Sequence, residues 1–192
     1  MAVAPTYAPI RGARRVPALP AAAALLNAAH RLAALSLTPS YGPGDHGNLS
    51  VRVSGGILMS ARESRKAVLR LEDVVFVRAV EGPPAAPRVV FDGARLPSTD
   101  ALMHWRVYEQ RPAVWAIIHG HDPLVLRRAA DLGLPVTRVT ARVNSAALIR
   151  DVVRLAARTE YVLLREHGFI ALGSSLQAAE MSWRRWWRLA RS

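Results

Sequence analysis

The segment Trp115-Ala116-Ile117-Ile118-His119-Gly120-His121 carries an apolar run into two histidines spaced two residues apart. In an extended strand that spacing puts both side chains on one face, so the pair can share one ion. Gly120 removes a side chain where the backbone must leave the sheet, and Asp122-Pro123 turns the chain away. A third histidine, His167, follows the apolar Val162-Leu163-Leu164 and precedes Gly168, so a second strand end presents another imidazole. Neutral imidazole suits zinc and other late divalent metals, and three protein ligands leave one position open for water or substrate, as in a catalytic site. The other reading of the same residues is three separate histidines, each buried with its own hydrogen bond or exposed at a strand end. Cysteine is absent, which excludes disulfides and thiolate sites and restricts any metal to nitrogen and oxygen ligands.

The elements that must position these histidines are legible from pattern. Residues 1–19 are proline-rich and aperiodic and are expected to form a loose, dispensable arm, with one domain over 20–192. Leu25, Leu26, Ala29, Leu32 and Leu35 recur at helical spacing, so the arginine-led, alanine-rich stretch from Arg11 to Leu35 reads as a surface helix beginning near Pro20 rather than as a secretory signal. Residues 38–47 read as a loop. In 48–53, Leu49, Val51 and Val53 alternate with Ser50 and Arg52, and Gly55-Gly56 turns the chain into a second strand over 57–60. Two β-rich runs, 74–79 and 88–91, flank the turn Glu81-Gly82-Pro83-Pro84. Helices are expected over 99–110, capped by Ser98 or Thr99, over 144–158, and over 175–191, where Ser174 and Gln177 have the form of a capping box. Buried strands are expected over 113–119 and 161–164. Strands bracketed by helices in irregular order, with a sheet that looks antiparallel, imply a three-layer α/β or α+β domain rather than regular βαβ winding.

The 192-residue chain has 51% hydrophobic residues and a formal net charge of +12. Such a charge attracts anionic partners in general. Here it is almost all arginine, with Lys66 the sole lysine, and it is scattered without a groove-reading motif, so specific nucleic-acid binding is not expected. No run approaches the roughly 20 apolar residues of a bilayer span, and a soluble, cytoplasmic protein is expected. The last helix sets Leu176, Ala179, Trp183 and Ala190 against Arg184, Arg185, Arg188 and Arg191, which reads as core or subunit packing with a solvated arginine face.

From about residue 22 onward the sequence resembles the class II aldolase and adducin-head family. The resemblance rests on Gly47-Asn48-Leu49-Ser50-Val51-Arg52, Leu71-Glu72-Asp73-Val74-Val75, Leu96-Pro97-Ser98-Thr99-Asp100 with His104 and Tyr108, His119-Gly120-His121, and Leu163-Leu164-Arg165-Glu166-His167-Gly168. It implies a three-layer αβα fold with a central, mainly antiparallel sheet, and one zinc ion on His119, His121 and His167, with Fe2+, Mn2+ or Co2+ as alternatives. It also implies a homotetramer with active sites at subunit interfaces. Asp100 takes the place of the family's acid/base carboxylate; on its own it also reads as a helix first-turn aspartate. Gly47, Asn48, Ser98 and Thr99 match positions of the family's phosphate pocket, whereas Arg62-Glu63 replaces a Thr/Ser-Gly pair. Arg62 could grip a phosphate or carboxylate; Glu63 would repel either unless it turns away or pairs with an arginine such as Arg65. The chain also ends at its last helix, so the epimerase subgroup's C-terminal tyrosine has no counterpart, and the span from His121 to His167 is short, which suggests a more open pocket.

The implied activity is a metal-dependent lyase that cleaves or rearranges a small anionic hydroxy-carbonyl compound, sugar-phosphate-like or keto-acid, through a metal-stabilised enediolate. Alternatives are a redirected member, such as an Fe(II) oxygenase, epimerase or dehydratase, and a non-catalytic adducin-like interaction module.

Overall fold

The computed structural model of the chain describes residues 5–140 and 145–192. The elements run β1 (Ala8–Arg11), α1 (Ala21–Ala34), β2 (Ser40–Tyr41), β3 (Gly44–Asp45), β4 (Asn48–Val53), β5 (Gly56–Ser60), β6 (Val74–Glu81) and β7 (Arg88–Asp92). They continue with α2 (Ala101–Gln110), β8 (Ala116–Gly120), α3 (Pro123–Arg127), β9 (Val136–Thr140), α4 (Ala146–Ala156), β10 (Tyr161–Arg165), β11 (Gly168–Gly173) and α5 (Leu176–Leu189). Nine strands form one sheet in the order β1-β7-β6-β5-β4-β8-β11-β10-β9, and β2 with β3 forms a separate two-stranded hairpin. Only the two outermost pairs of the large sheet, β1 with β7 and β9 with β10, are parallel. The expected mainly antiparallel sheet between helical layers is what is found.

The alternation in β4 decides the layers. Leu49 and Val51 join Leu58, Phe76 and Ile118 beneath α1 and α5, while Ile57, Met59, Val75 and Ile117 pack beneath α2 and α4. Each face of the sheet thus buries its own apolar cluster, the physical basis of a three-layer domain. In α5, Trp183 is buried and Trp186 and Trp187 pack against the core. The guanidinium groups of Arg184, Arg185 and Arg191 lie 4.7, 4.9 and 4.5 Å from the Trp183, Trp186 and Trp187 ring centres. Packing therefore accounts for the tryptophans, with the arginines laid over them as cation–π partners.

Several expectations are corrected. The stretch expected as a loose arm supplies β1, whose side chains are all exposed, so no alternation marks it; its backbone pairs with the open edge of β7. Tyr7 is buried, and its hydroxyl donates to the carbonyls of Pro97 and Ser98 at 3.2 and 2.7 Å. Replacing Tyr7 by alanine is expected to cost about 3 kcal/mol in a urea melt; an unchanged midpoint would restore the loose arm. The loop expected over 38–47 contains the β2–β3 hairpin. Helix α2 begins after Asp100, with neither Ser98 nor Thr99 as its cap. Helix α5 is capped by Ser175, whose Oγ accepts from the Ala178 amide at 3.1 Å, rather than by Ser174. Asn144, the expected start of α4, lies outside the described residues; Ser145 caps that helix.

Candidate metal centre

Cross-strand register assembles one site at the ends of the central strands β4, β8 and β11. Asn48 at the start of β4 lies opposite His119 near the end of β8, and β11 on the other side of β8 sets Phe169 opposite Gly120. His167 occupies the turn between β10 and β11, beside Gly168. The strands approach closely there: a Cβ on Gly168 would lie 2.3 Å from the Gly120 carbonyl oxygen. Gly47 has φ +79, and a Cβ on it would lie 2.6 Å from the His119 carbonyl oxygen. Asp122, directly after His121, caps α3 through the Leu124 and Val125 amides and pairs with Arg191 at 2.8 Å, which fixes where the strand ends.

The three imidazoles converge. Ring centres lie 5.0 Å apart for His119 and His121, 5.3 Å for His119 and His167, and 4.4 Å for His121 and His167. One potential ligand atom from each lies within 4.8 Å of the others. His119 is 2% exposed, and its Nδ1 lies 2.8 Å from the Phe169 carbonyl, which can only accept; Nδ1 therefore donates there and Nε2 is the nitrogen left facing the cluster and Asp100. The backbone of His167 engages His121, whose Nε2 is buried with no hydrogen-bond partner. Burial, reinforced by the other histidines, lowers the pKa of His121 strongly and that of His167 to about 4. Three converging imidazoles fit a divalent cation: at about 2.0–2.1 Å from one ion, tetrahedral nitrogens lie roughly 3.4 Å apart, a modest contraction from the observed spread.

Asp100 faces this cluster. Its Oδ2 accepts from Asn48 Nδ2 at 2.7 Å and lies 4.0 Å from His119 Nε2, and its side chain makes no cap bond to α2. Gly47, Asn48, Arg62, Ser98, Thr99, Asp100 and the three histidines all line one cleft, so the site residues expected from the sequence are brought together. Ser98 Oγ accepts from the Asp100 amide at 3.3 Å. Tyr41, His46 and Lys66 line the same cleft and were not foreseen; they sit in aperiodic, loop-like sequence that gives no spacing signal.

Glu63 pairs with its neighbour Arg62 at 3.5 Å, not with Arg65, which pairs with Asp45 at 3.7 Å. The Glu63 backbone is left-handed, φ 58, a conformation that favours glycine, and Arg95 holds it by donating to the Arg62 and Glu63 carbonyls at 3.2 and 2.9 Å. Glu63→Gly is expected to raise stability by about 1 kcal/mol despite losing the ion pair. A lower urea midpoint would show that the pair outweighs the strain.

His104 extends the polar network inward. Its Nδ1 lies 2.8 Å from Ser50 Oγ, which lies 2.8 Å from the Tyr108 hydroxyl. Burial lowers its pKa to about 4. The folded-state value is thus below the unfolded one near 6.5, so the unfolded chain takes up this proton first as pH falls. The contribution is complete above about pH 6.5 and is lost as pH falls through 4. Urea midpoints between pH 7 and 4.5 should fall more steeply for the wild type than for His104→Gln; parallel slopes would contradict the shift.

Comparison with known proteins adds a second line. The model of the class II aldolase and adducin N-terminal domain family matches residues 23–185. A Rhodospirillum rubrum protein named 5-methylthioribulose-1-phosphate/5-deoxyribulose-1-phosphate aldolase is 30% identical over 171 residues, covering 81% of this chain and 72% of its own. A Rhodococcus jostii 3,4-dihydroxyphthalate decarboxylase is 27% identical over 157 residues, covering 68% of this chain and 63% of its own. Among solved structures, an L-fuculose-1-phosphate aldolase from Thermus thermophilus superposes with a TM-score of 0.67 at 22% identity, covering 88% of this chain and 89% of that one. No described helix is long and apolar enough to cross a membrane.

Proposed function

The chain belongs to the class II aldolase and adducin N-terminal domain family, and since its relatives include a named aldolase and a named decarboxylase, we propose that it is a metal-dependent carbon–carbon lyase acting on a small hydroxy-carbonyl compound. The observation that supports it is the convergence of three imidazoles, one with a buried Nε2 that has no hydrogen-bond partner among the described residues, on a carboxylate held by Asn48. His119, His121 and His167 would hold the ion. A divalent cation held there, zinc by ligand chemistry with Fe2+, Mn2+ or Co2+ as alternatives, would supply Lewis acidity toward the substrate's carbonyl oxygen. Asp100 is the group placed to take a proton from the substrate and return it, with the Asn48 amide fixing the orientation of its carboxylate. Gly47, Asn48, Ser98 and Thr99 line the pocket around it.

The anionic end of the substrate is read by the Arg62-Glu63 pair at the same cleft. A paired cation and anion contribute no net charge, which disfavours a phosphate dianion and leaves Arg62 able to exchange Glu63 for a carboxylate. This favours a keto-acid or hydroxy-acid substrate, with decarboxylation as the second reading. Retention of three convergent histidines argues against a non-catalytic adducin-like module. A homotetramer belongs to the same proposal, and equilibrium sedimentation tests it.

The deciding experiment screens phosphorylated and unphosphorylated ketoses and hydroxy-keto acids for aldehyde or carbon dioxide release by metal-loaded and chelator-treated protein. Chelator-sensitive release supports the lyase. An iron requirement with oxygen uptake would favour an oxygenase, and purified protein that never takes up metal would favour the module. Turnover that requires a phosphate and survives intact in Arg62→Gly would overturn the carboxylate assignment.

A further inference from the structure

Beside the three convergent histidines stands a fourth, His46, outside their set. The β2–β3 hairpin that carries it is fastened with more bonds than a four-residue ribbon needs. Asp45 is buried; its Oδ1 accepts from Ser40 Oγ and its Oδ2 from the Lys66 amide, each at 2.7 Å. Lys66, only 1% exposed, donates through Nζ to the Asp45 and Ser64 carbonyls at 3.3 and 2.9 Å. The Asp45 amide donates to the Ser64 carbonyl at 3.2 Å, and Gly44 packs so closely that a Cβ would lie 2.6 Å from the Glu63 backbone. Burying an ammonium is costly unless its protons are used, so a lysine spent on two carbonyls marks a position that the fold holds firmly.

That clamp presents Tyr41 and His46 to the cleft. Their ring centres lie 4.5 Å apart, and the exposed His46 ring lies 5.1 Å from His121 and 6.5 Å from His167. Two imidazoles on one tetrahedral ion have centres about 5 Å apart, so the distance to His167 is too long for a shared ligand set. His46 thus stands outside the three histidines whose ligand atoms lie within 4.8 Å of one another, yet lines the same cleft.

We propose that His46 is a substrate-contacting residue: its imidazole hydrogen-bonds to a substrate oxygen in the cleft, and the Asp45–Lys66 clamp is what positions it. This rests on the metal-centre reading of the preceding section. The test uses Co2+-loaded full-length protein and glycolohydroxamate, a chelating hydroxy-carbonyl analogue, followed by visible absorption. His46→Phe keeps a ring against Tyr41 but cannot hydrogen-bond; His46→Gln keeps hydrogen bonding without the ring. Both variants should retain the metal against dialysis as the wild type does. The Phe variant should bind the probe about tenfold more weakly, and the Gln variant within about threefold of wild type. Equal probe affinity in the Phe variant, weaker binding only in the Gln variant, or loss of metal from both would each overturn the proposal, the last by making His46 a ligand. A wild type that holds metal but ignores the probe overturns it as well, whereas a wild type that takes up no metal overturns the metal-centre reading and this proposal with it.

Discussion

His121→Ala should leave the purified protein with less than about a tenth of an equivalent of metal and lower turnover by at least a thousandfold. His121 Nε2 is buried beside two other imidazoles and has no hydrogen-bond partner among the described residues, so no described contact of the fold accounts for its position. Truncation removes one of three ligands and leaves two, too few to hold an ion tightly. The same reasoning makes a thermal prediction of unusual sign. Three imidazoles held together gain no bond from their convergence when no cation is present, so metal-free His121→Ala should melt no lower than the metal-free wild type. Added Zn2+ should raise the melting temperature of the wild type and not of the variant, because only the former gains binding free energy in the folded state. His30→Gln is the control, since the His30 ring hydrogen-bonds to the Leu69 carbonyl and does not belong to this cluster. Full metal content in His121→Ala would remove that residue from the centre.

The histidine cluster was legible because its signal is covalent spacing joined to strand periodicity: His119 and His121 are tied by one glycine, and β4 carries its alternation intact from Asn48 to Val53. Elements whose identity depends on neighbours were not legible. The all-exposed β1 is a strand only because β7 offers an open parallel edge. Strand β11 is buried throughout, so no polar face gives it a period of two, and β9 owes its place to pairing with β10. Helix α3 has five residues, shorter than the window in which helical periodicity can be read.

The site divides the same way. His46 lies in a Pro-, Gly- and Asp-rich stretch, and only the pairing of Ser40 with Asp45 brings it beside His121. Arg62-Glu63 was readable as a departure from a family pattern, yet its internal pairing was not, because it follows from the left-handed backbone at Glu63. Asp100 had two readings in sequence, acid/base group and helix-start aspartate. The structure carries both features: Asp100 stands at the N-terminus of α2 without a side-chain cap bond, and its carboxylate turns to Asn48 and His119.

Asp100→Asn should therefore lower kcat by about two to four orders of magnitude while metal content and melting temperature stay at wild-type values. The substitution is isosteric, and an amide oxygen can still accept from Asn48 Nδ2, so the loop before α2 keeps its shape. What disappears is the ability to take up a proton. A purely helix-start role makes a different forecast, turnover intact with about 0.3–1 kcal/mol of stability lost as the charge at the helix N-terminus goes. Asp100→Glu restores the carboxylate but carries it one methylene further toward His119, already 4.0 Å away, so it should recover only part of the rate. Asn48→Ala tests the same assignment from the other side: the carboxylate keeps its charge but loses the donor that orients it, and kcat should fall by roughly tenfold with the metal retained. Were Asp100→Asn to turn over as fast as wild type, proton transfer would have to come from another group in the cleft, and Asp100 would be left with a purely structural part.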